Sequence, residues 1–470
     1  MTFDELPAGW CAAKLSDVAT QHSGNSKLIK GKLSAERQAG MHPAYSATGQ
    51  DVWREAFEQE GSAIIISAVG ARCGKCFKAD GRWSAIANTH IVWPIEEIAD
   101  RDFLWFKLND ERFWVRGGSA QPFVKTKESF KHEFGLPPLP EQQRIVEKIE
   151  TLFAELDKGE EALREVQKLL ARYRQSVLKA AVTGTLTADW RAANGQPKES
   201  GKDLLARILK TRRDTWQGRG KYKAPVEPDT DGLPELPEGW TASTTDQLAF
   251  VDTGATPKKG RSDYYEGGEI PWVTSTAVNQ QLIDTPQDFI TRLAVKETNA
   301  KVFPAGTLIV ALYGEGKTRG KVSKLGIDAA TNQACAGLRV GFLPAIIADY
   351  VRLFYVYNYE AIRLLSAGGV QPNLNLSIIR QTLVPLPPLE EVQQIIDTVD
   401  EAMERVSHVE SLCETELKRS AALRQSILKD AFSGKLVPQD PSDEPADKLL
   451  ERIRAARKEQ PKAKRMKANA

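Results

Sequence analysis

The stretch from Arg172 to Leu186 reappears between Ala422 and Leu436 at a constant offset of 250 residues, with eight of the thirteen positions from Arg174 to Leu186 identical. The same offset carries Pro138 onto Pro388, Ile145 onto Ile395, Gln175 onto Gln425, Lys179 onto Lys429 and Gly184 onto Gly434. Upstream, Leu6-Pro-Ala-Gly-Trp10 recurs as Leu236-Pro-Glu-Gly-Trp240; downstream, Leu204-Leu-Ala-Arg-Ile208 recurs as Leu449-Leu-Glu-Arg-Ile453. The repeating unit is half the chain, far beyond the roughly 20 to 50 residues of a solenoid repeat. Such a chain folds as two copies of one plan, so an internal pseudo-twofold is expected.

With 470 residues and 41% hydrophobic content there is material for about three or four domains with real cores. Five unevenly spaced cysteines argue for a reducing compartment rather than a disulfide framework. The first residues lack the basic and apolar regions of a secretion signal, and no run of about 18 apolar residues occurs, so a cytoplasmic protein without a membrane partner is expected. A net charge of +2 excludes nothing, because the sum hides its distribution: Lys202–Lys223 and the end of the chain from Leu449 are both strongly basic.

Residues 1–136 read as a mixed α/β module, with β-prone Ser62–Ser67 and His90–Trp93 and a helical segment at Phe103–Phe106. Prolines at Leu136–Pro140 end regular structure, and a helical region, 137–216, follows. Apolar side chains at Ile145, Ile149, Leu152, Leu156, Leu163, Val166, Leu170, Tyr173 and Val177 alternate by four and three, interrupted only at Gly159, which should loosen the helix. This 3.5-residue period predicts a coiled-coil seam, on a helix ending near Val182 and reaching roughly 60 Å at ~1.5 Å per residue. A short amphipathic helix spans Asp203–Arg213, and 217–235 is a Pro/Gly-rich linker. The second module, 236–386, holds β-prone Thr307–Leu312 and helical Tyr350–Tyr355; the second helical region with its basic tail is 387–470. Its seam reads Ile395, Val399, Ala402, Val406, Val409, Cys413, Glu416, Ser420, Leu423 and Ile427, weak in the middle, with Leu412 and Leu417 alongside. The two long helices are each other's most economical partners, and antiparallel pairing gives each module its own end of the pair. The fold class is α+β: two α/β modules alternating with two long helices that form an antiparallel coiled coil.

Catalytic signatures are missing. Gly314-Glu-Gly-Lys-Thr318 resembles the end of a phosphate-binding loop, but Ala311 stands where that pattern needs glycine. Cys73-Gly-Lys-Cys76 has zinc-knuckle spacing without the second pair of ligands a structural site requires. Five scattered histidines support no triad, and no Asn/Asp-Pro-Pro-aromatic loop of an adenine methyltransferase occurs. What recurs instead are polar loops. Lys27, Lys30 and Lys32 lie early in module one, and Thr256, Lys258, Lys259 and Arg261 early in module two. Glycine-rich loops carry Arg72 and Lys75, or Lys317, Arg319 and Lys321, where glycine lets main-chain amides approach a phosphate backbone and the cations neutralise it. Late in each module a Gly-Gly loop precedes Gln-Pro, bringing Gln121 in one and Gln371, Asn373 and Asn375 in the other; such amides pair with adenine edges. These residues are the candidates for double-stranded DNA contact.

The order and duplication of several motifs resemble the DNA-specificity subunits of Type I restriction-modification enzymes. They are the Leu-Pro-x-Gly-Trp openings at 6 and 236, Thr253-Gly-Ala-Thr-Pro257 with Tyr264–Trp272, Pro137-Pro-Leu-Pro-Glu-Gln-Gln143, Pro385-Leu-Pro-Pro-Leu389 and the paired Arg-Gln-Ser-(Val/Ile)-Leu-Lys segments. The resemblance implies two target-recognition domains in 1–136 and 236–386 and a non-catalytic chain with no cofactor or metal of its own. It further implies two methyltransferase subunits using S-adenosylmethionine and two restriction subunits using ATP and Mg2+. Unlike modules on a repeated frame predict an asymmetric, bipartite target, with the helices as ruler between half-sites. A coiled-coil adaptor with two protein-binding modules is the alternative, and a stand-alone methyltransferase or nuclease lacks a visible cofactor site.

Overall fold

A computed structural model describes residues 6–218, 221–231, 235–286, 288–314, 317–364 and 373–456. The chain divides into two compact units, one formed by residues 1–164 with 414–470, the other by 165–413. Each unit therefore contains one module, part of each long helix and one short helical segment.

In the first unit, Ala19–Ser23, Thr89–Pro94, Ala63–Ser67 and Cys76–Ala79 form an antiparallel sheet in that order. All five residues of Ala63–Ser67 are buried, as expected of a central strand with both faces covered. A second sheet orders Gly49–Arg54, His42–Ser46, Arg82–Ala85 and Gln59–Glu60, its middle pair parallel. Cys11–Lys14 pairs with Glu133–Leu136, joining the two ends of the module. The second unit repeats this plan: Phe250–Thr253, Cys335–Arg339, Leu308–Ala311 and Val322–Leu325 form the corresponding sheet, extended by Leu282–Ile283, and Thr241–Thr244 pairs with Leu383–Leu386. The helix Arg101–Leu108 has its counterpart in Ala345–Tyr357, fixed by the same ion pair: Lys78 to Asp102 at 2.8 Å, and Lys324 to Asp349 at 2.9 Å.

The long helices are Leu139–Thr183 and Leu389–Ala431. The first begins inside its proline run, with Pro140 in its first turn, where a residue has no intrahelical acceptor to lose, and the second begins directly after Pro388. They run antiparallel in both units. In the first, Ser420 donates to Glu160 at 2.7 Å while Arg424 reaches back to Asp157 at 2.6 Å. In the second, Arg174 bonds Glu410 at 3.0 Å. Offset by 250, Arg174 is the counterpart of Arg424 and Glu410 of Glu160, so the duplication extends to individual ion pairs.

Burial departs from the heptad reading in the middle of both helices. The inward positions of the first are 145, 149, 152, 156, 160, 163, 167, 170, 174, 177 and 181, and those of the second are the same set plus 250, with 410 and its neighbour 409 both half-buried. Ten steps cover 36 residues, which is the period of a straight α-helix and not that of a supercoil. Val166 and Tyr173 are consequently exposed, as is Leu423 at 43%, and Arg424 takes the inward place that the heptad gave to Leu423. Glu416 is also outside, with Leu417 turned inward. Ile145, Ile149, Val177, Ile395, Val399 and Val406 are buried, while Leu152, Leu156, Leu170 and Ile427 are half-buried. The helix runs unbroken through Gly159, beside which there is only open space.

Where each long helix ends explains which motifs are duplicated. Gly184 closes the first helix in the left-handed region (φ +74°), and a Cβ there would lie 2.5 Å from the ring of Pro237 and 3.1 Å from Trp240. A Cβ on Gly434 (φ +68°) would likewise clash with the ring of Pro7 and lie 3.3 Å from Trp10. The Leu-Pro-x-Gly-Trp opening of each module is thus the seat for the helix that follows the other module. Each tryptophan indole also donates to a buried glutamate on the long helix that follows its own module, Trp10 to Glu141 at 3.0 Å and Trp240 to Glu391 at 2.9 Å. The short helices dock on the same corner: Gly201 N donates to Gly239 O and Ala446 N to Gly9 O, with Leu204, Ile208, Leu449 and Leu450 buried. Their apolar faces are buried inside the chain.

Candidate nucleic-acid interface

Three backbone junctions in the first module gather loops distant in sequence. Asn25 N donates to Ala85 O at 2.8 Å, Ala68 N to Asn88 O at 2.9 Å and Val124 N to Ala68 O at 2.9 Å. The second module has the same three: Ala255 N to Thr331 O at 2.9 Å, Leu312 N to Ala334 O at 2.8 Å and Leu374 N to Leu312 O at 2.9 Å. The early polar loop, the glycine-rich loop and the Gly-Gly/Gln-Pro loop therefore converge at the ends of the same strands in both modules. Strands supply a rigid frame, and the side chains that differ between modules are carried on the loops.

In module one this brings together Lys27, Lys30, Lys32, Arg72, Lys75 and Gln121. Gly70 N donates to Pro122 O at 2.8 Å, laying the Arg72 loop against Gln121, and Gly118 sits at φ +80° in a turn so tight that a Cβ would strike Gln121 O at 2.5 Å. Lys27, Lys32, Arg72 and Gln121 are exposed and Lys75 is half-buried, and none of the four cations makes an ion pair among the described residues. Lys30 differs: its ammonium bonds Asp51 at 2.6 Å and Thr48 at 3.0 Å. Burial acts to raise the Asp51 carboxyl, but Lys30, Thr48 and Ser46 outweigh it and hold the group below its ordinary value.

In module two, Lys258 and Lys259 are exposed and without counter-ions among the described residues. Arg261 is committed: its guanidinium grips Asp263 at 2.6 and 2.7 Å and lies 4.4 Å over the Tyr264 ring. Thr256 bonds the Gln333 amide, and Lys321 bonds Asn279 at 2.7 Å. Lys317 is exposed and Arg319 half-buried. Asn373 is exposed, whereas Asn375 caps the helix Leu376–Gln381 by accepting from Ile378 N at 2.9 Å. Gln371 lies outside the described residues.

Three amides at the convergence escaped the sequence reading: Asn88, Asn279 and Gln333. Asn88 is the one non-glycine residue with positive φ (+63°) among those described, exposed at the junction of all three loops. A signal was present, since Asn88 directly precedes the strand Thr89–Pro94 and the Asn332-Gln333 pair lies one residue before its counterpart Cys335–Arg339.

The arrangement offers uncommitted cations beside amide side chains, which suits phosphates and base edges. Cys73 and Cys76 are free and buried, Cys76 donates to Leu108 O at 3.2 Å, and burial pushes its thiol above the ordinary value. No group of three metal-ligating side chains occurs among the described residues, and no described helix is long and apolar enough to cross a membrane.

Residues 7–165 and 237–409, more than half the chain, match the profile of the Type I restriction modification DNA specificity domain. The chain is 26% identical over 475 residues to the Type I restriction enzyme EcoDI specificity subunit of Escherichia coli, covering 97% of both. It is 26% identical over 344 residues to the EcoBI specificity subunit of the same organism, covering 68% of this chain and 64% of that one. A chain from a solved structure on complex assembly in the type I R-M system shares the fold, with a TM-score of 0.60 at 18% identity over 92% of this chain and 99% of that one.

Proposed function

We propose the following role for this chain, which belongs to the family of Type I restriction-modification DNA specificity subunits: each module reads one half-site of an asymmetric, bipartite DNA sequence, and the chain presents that DNA to methyltransferase and restriction subunits that carry out all bond-making. The observation that carries this reading is the repeated loop convergence, one frame used twice with different side chains on it. Lys27, Lys32, Arg72 and Lys75 against Lys258 and Lys259 are different cation sets, and Asn88 and Gln121 against Asn279, Gln333 and Asn373 are different amide sets. Identical frames place two readers alike, while unlike side chains make the half-sites unlike. The long helices, each contributing one end to each unit, set the number of unread base pairs between half-sites. S-adenosylmethionine, ATP and Mg2+ belong to the partner subunits. The adaptor reading has no support in a family match that spans both modules.

The test is selection of bound duplexes from a random DNA pool by the chain co-purified with its methyltransferase partner. A two-part motif with a fixed gap, bound with an affinity that falls steeply with salt, is the expected result. Recovery of a palindrome or one contiguous motif overturns the asymmetric reading. Inserting one helical turn into both long helices should lengthen the gap and leave the half-sites unchanged; an unaltered gap removes the helices as the ruler.

A further inference from the structure

In the first unit a cleft of about 1160 Å3 opens between the helix Arg101–Leu108 and the two long helices. Its walls are aromatic, with Trp105, Phe153 and Phe432 lining it. Three lysines share it. Lys78 is already neutralised by Asp102 at 2.8 Å and Glu150 at 3.5 Å. Lys107 and Lys429 have no ion pair among the described residues. Lys107 is half-buried with its ammonium 4.7 Å over the Phe432 ring, and burial pushes its pKa below the ordinary value. An ammonium removed from water and stacked on an aromatic ring recovers part of its lost hydration, and the nearest carboxylate acting on it, Asp110, is already gripped by Arg112 at 2.9 Å, so its charge is only partly compensated.

The second unit shows that this lysine is not required by the fold. The Lys78–Asp102 and Lys324–Asp349 pairs align the two module helices residue by residue, and this alignment places Phe354 where the first module has Lys107. Phe354 is 5% exposed, part of the second unit's core. Likewise the offset of 250 places Val182, which is buried, where Phe432 stands. At these two positions the second unit therefore has buried apolar side chains where the first has Lys107 and Phe432, while the exposed Lys429 recurs as Lys179.

We infer that the cleft receives a segment of a partner protein in which acidic residues alternate with apolar ones, its carboxylates neutralising Lys107 and Lys429 while its apolar side chains cover Trp105, Phe153 and Phe432. A polyphosphate fits less well, because Asp110, Glu111, Glu150 and Asp157 line the same cleft and repel concentrated negative charge; each of them is paired with a cation, which leaves Lys107 and Lys429 to single carboxylates spaced along a peptide. Since the matching corner of the second unit carries Phe354, the segment binds once per chain, and it distinguishes the two halves of an otherwise pseudo-symmetric scaffold. This rests on the proposed assembly with partner subunits.

The experiment uses the full chain purified with its methyltransferase and restriction subunits. Zero-length carbodiimide coupling is expected to join Lys107 or Lys429 to an aspartate or glutamate of one partner subunit, and acetic anhydride should modify Lys107 in the free chain but not in the complex. Lys107→Phe, which installs the second module's side chain, and Lys429→Glu, on an exposed position, should each weaken that subunit's binding about tenfold or more, with binding of the half-sites unchanged. Equal acetylation of Lys107 in the free chain and the complex, or protection by ATP in place of a protein, overturns the inference. Failure of the wild-type chain to assemble with either subunit contradicts the functional reading instead; assembly and methylation with both variants binding normally contradict only the cleft.

Discussion

Glu141 and Glu391 occupy equivalent places, each 1% exposed and each accepting from a tryptophan indole, yet replacing them with glutamine should have opposite consequences. Glu391 also accepts from the Thr187 hydroxyl at 2.6 Å and pairs with the Arg191 guanidinium. Three donors converge on it, and a glutamine would turn its own NH2 toward one of them while removing the counter-ion of a guanidinium that is only 21% exposed. Orphaning one buried donor costs about 1–3 kcal/mol and breaking the buried pair about 3–5 kcal/mol, overlapping terms that put Glu391→Gln near 3–4 kcal/mol. No arginine hydrogen-bonds Glu141 among the described residues, since the nearby Arg144 is held by Asp443 at 2.6 Å; Gln439 approaches it at 3.3 Å. Burial pushes its carboxyl above the ordinary value, against the lowering pull of Trp10 and Gln439. A raised folded-state value means the folded chain holds a proton that the unfolded chain releases, so the associated stability is present at low pH and is lost as pH rises through the raised value. Glu141→Gln keeps an acceptor for Trp10 and abolishes the buried charge. It should match the wild type at or below pH 4.5 and equal or exceed it at pH 7.5. The assay is urea unfolding at both pH values, with hydrogen exchange on peptides from each unit to locate the loss. If Glu141→Gln destabilised the first unit at pH 7.5 as much as Glu391→Gln destabilises the second, the argument from the missing arginine would be wrong.

Other substitutions test the remaining geometry. Gly434→Ala forces a left-handed alanine against Pro7 and should cost about 2 kcal/mol or more, whereas Gly159→Ala, with open space and helical backbone, should stabilise by about 0.5–1 kcal/mol; chemical denaturation reads both. Ile395→Ala should cost about 2–5 kcal/mol and Leu423→Lys less than about 0.5 kcal/mol; equal losses would restore the heptad register. Arg72→Ala should weaken DNA binding about uniformly across sequences and reduce the slope of log affinity against log salt by about one, measured by fluorescence anisotropy.

The duplication, the long helices, the proline boundaries and the central strands were legible because each is a local or periodic signal. The helix register was not. Inward positions 160, 174, 410, 420 and 424 carry polar side chains that satisfy one another across the pair, and a search for apolar spacing skips such positions and substitutes Val166, Tyr173 and Leu423. Their duplication as Glu160/Glu410 and Arg174/Arg424 was visible in the repeat and pointed to the right face. Individual loops of the candidate interface were recognisable from glycine and lysine. Their convergence rests on main-chain bonds such as Ala68 to Val124 and Leu312 to Leu374, which have no side-chain signature. Asn88 went unnoticed because its backbone conformation, not its identity, makes it unusual.

Mapping methylated adenines across the genome of cells that express the partner subunits, with and without this chain, tests the central claim most directly. Two unlike half-sites at one fixed separation, modified only when the chain is present, is the predicted result. Modification of a palindromic or uninterrupted site, or a pattern indifferent to the chain, would contradict it.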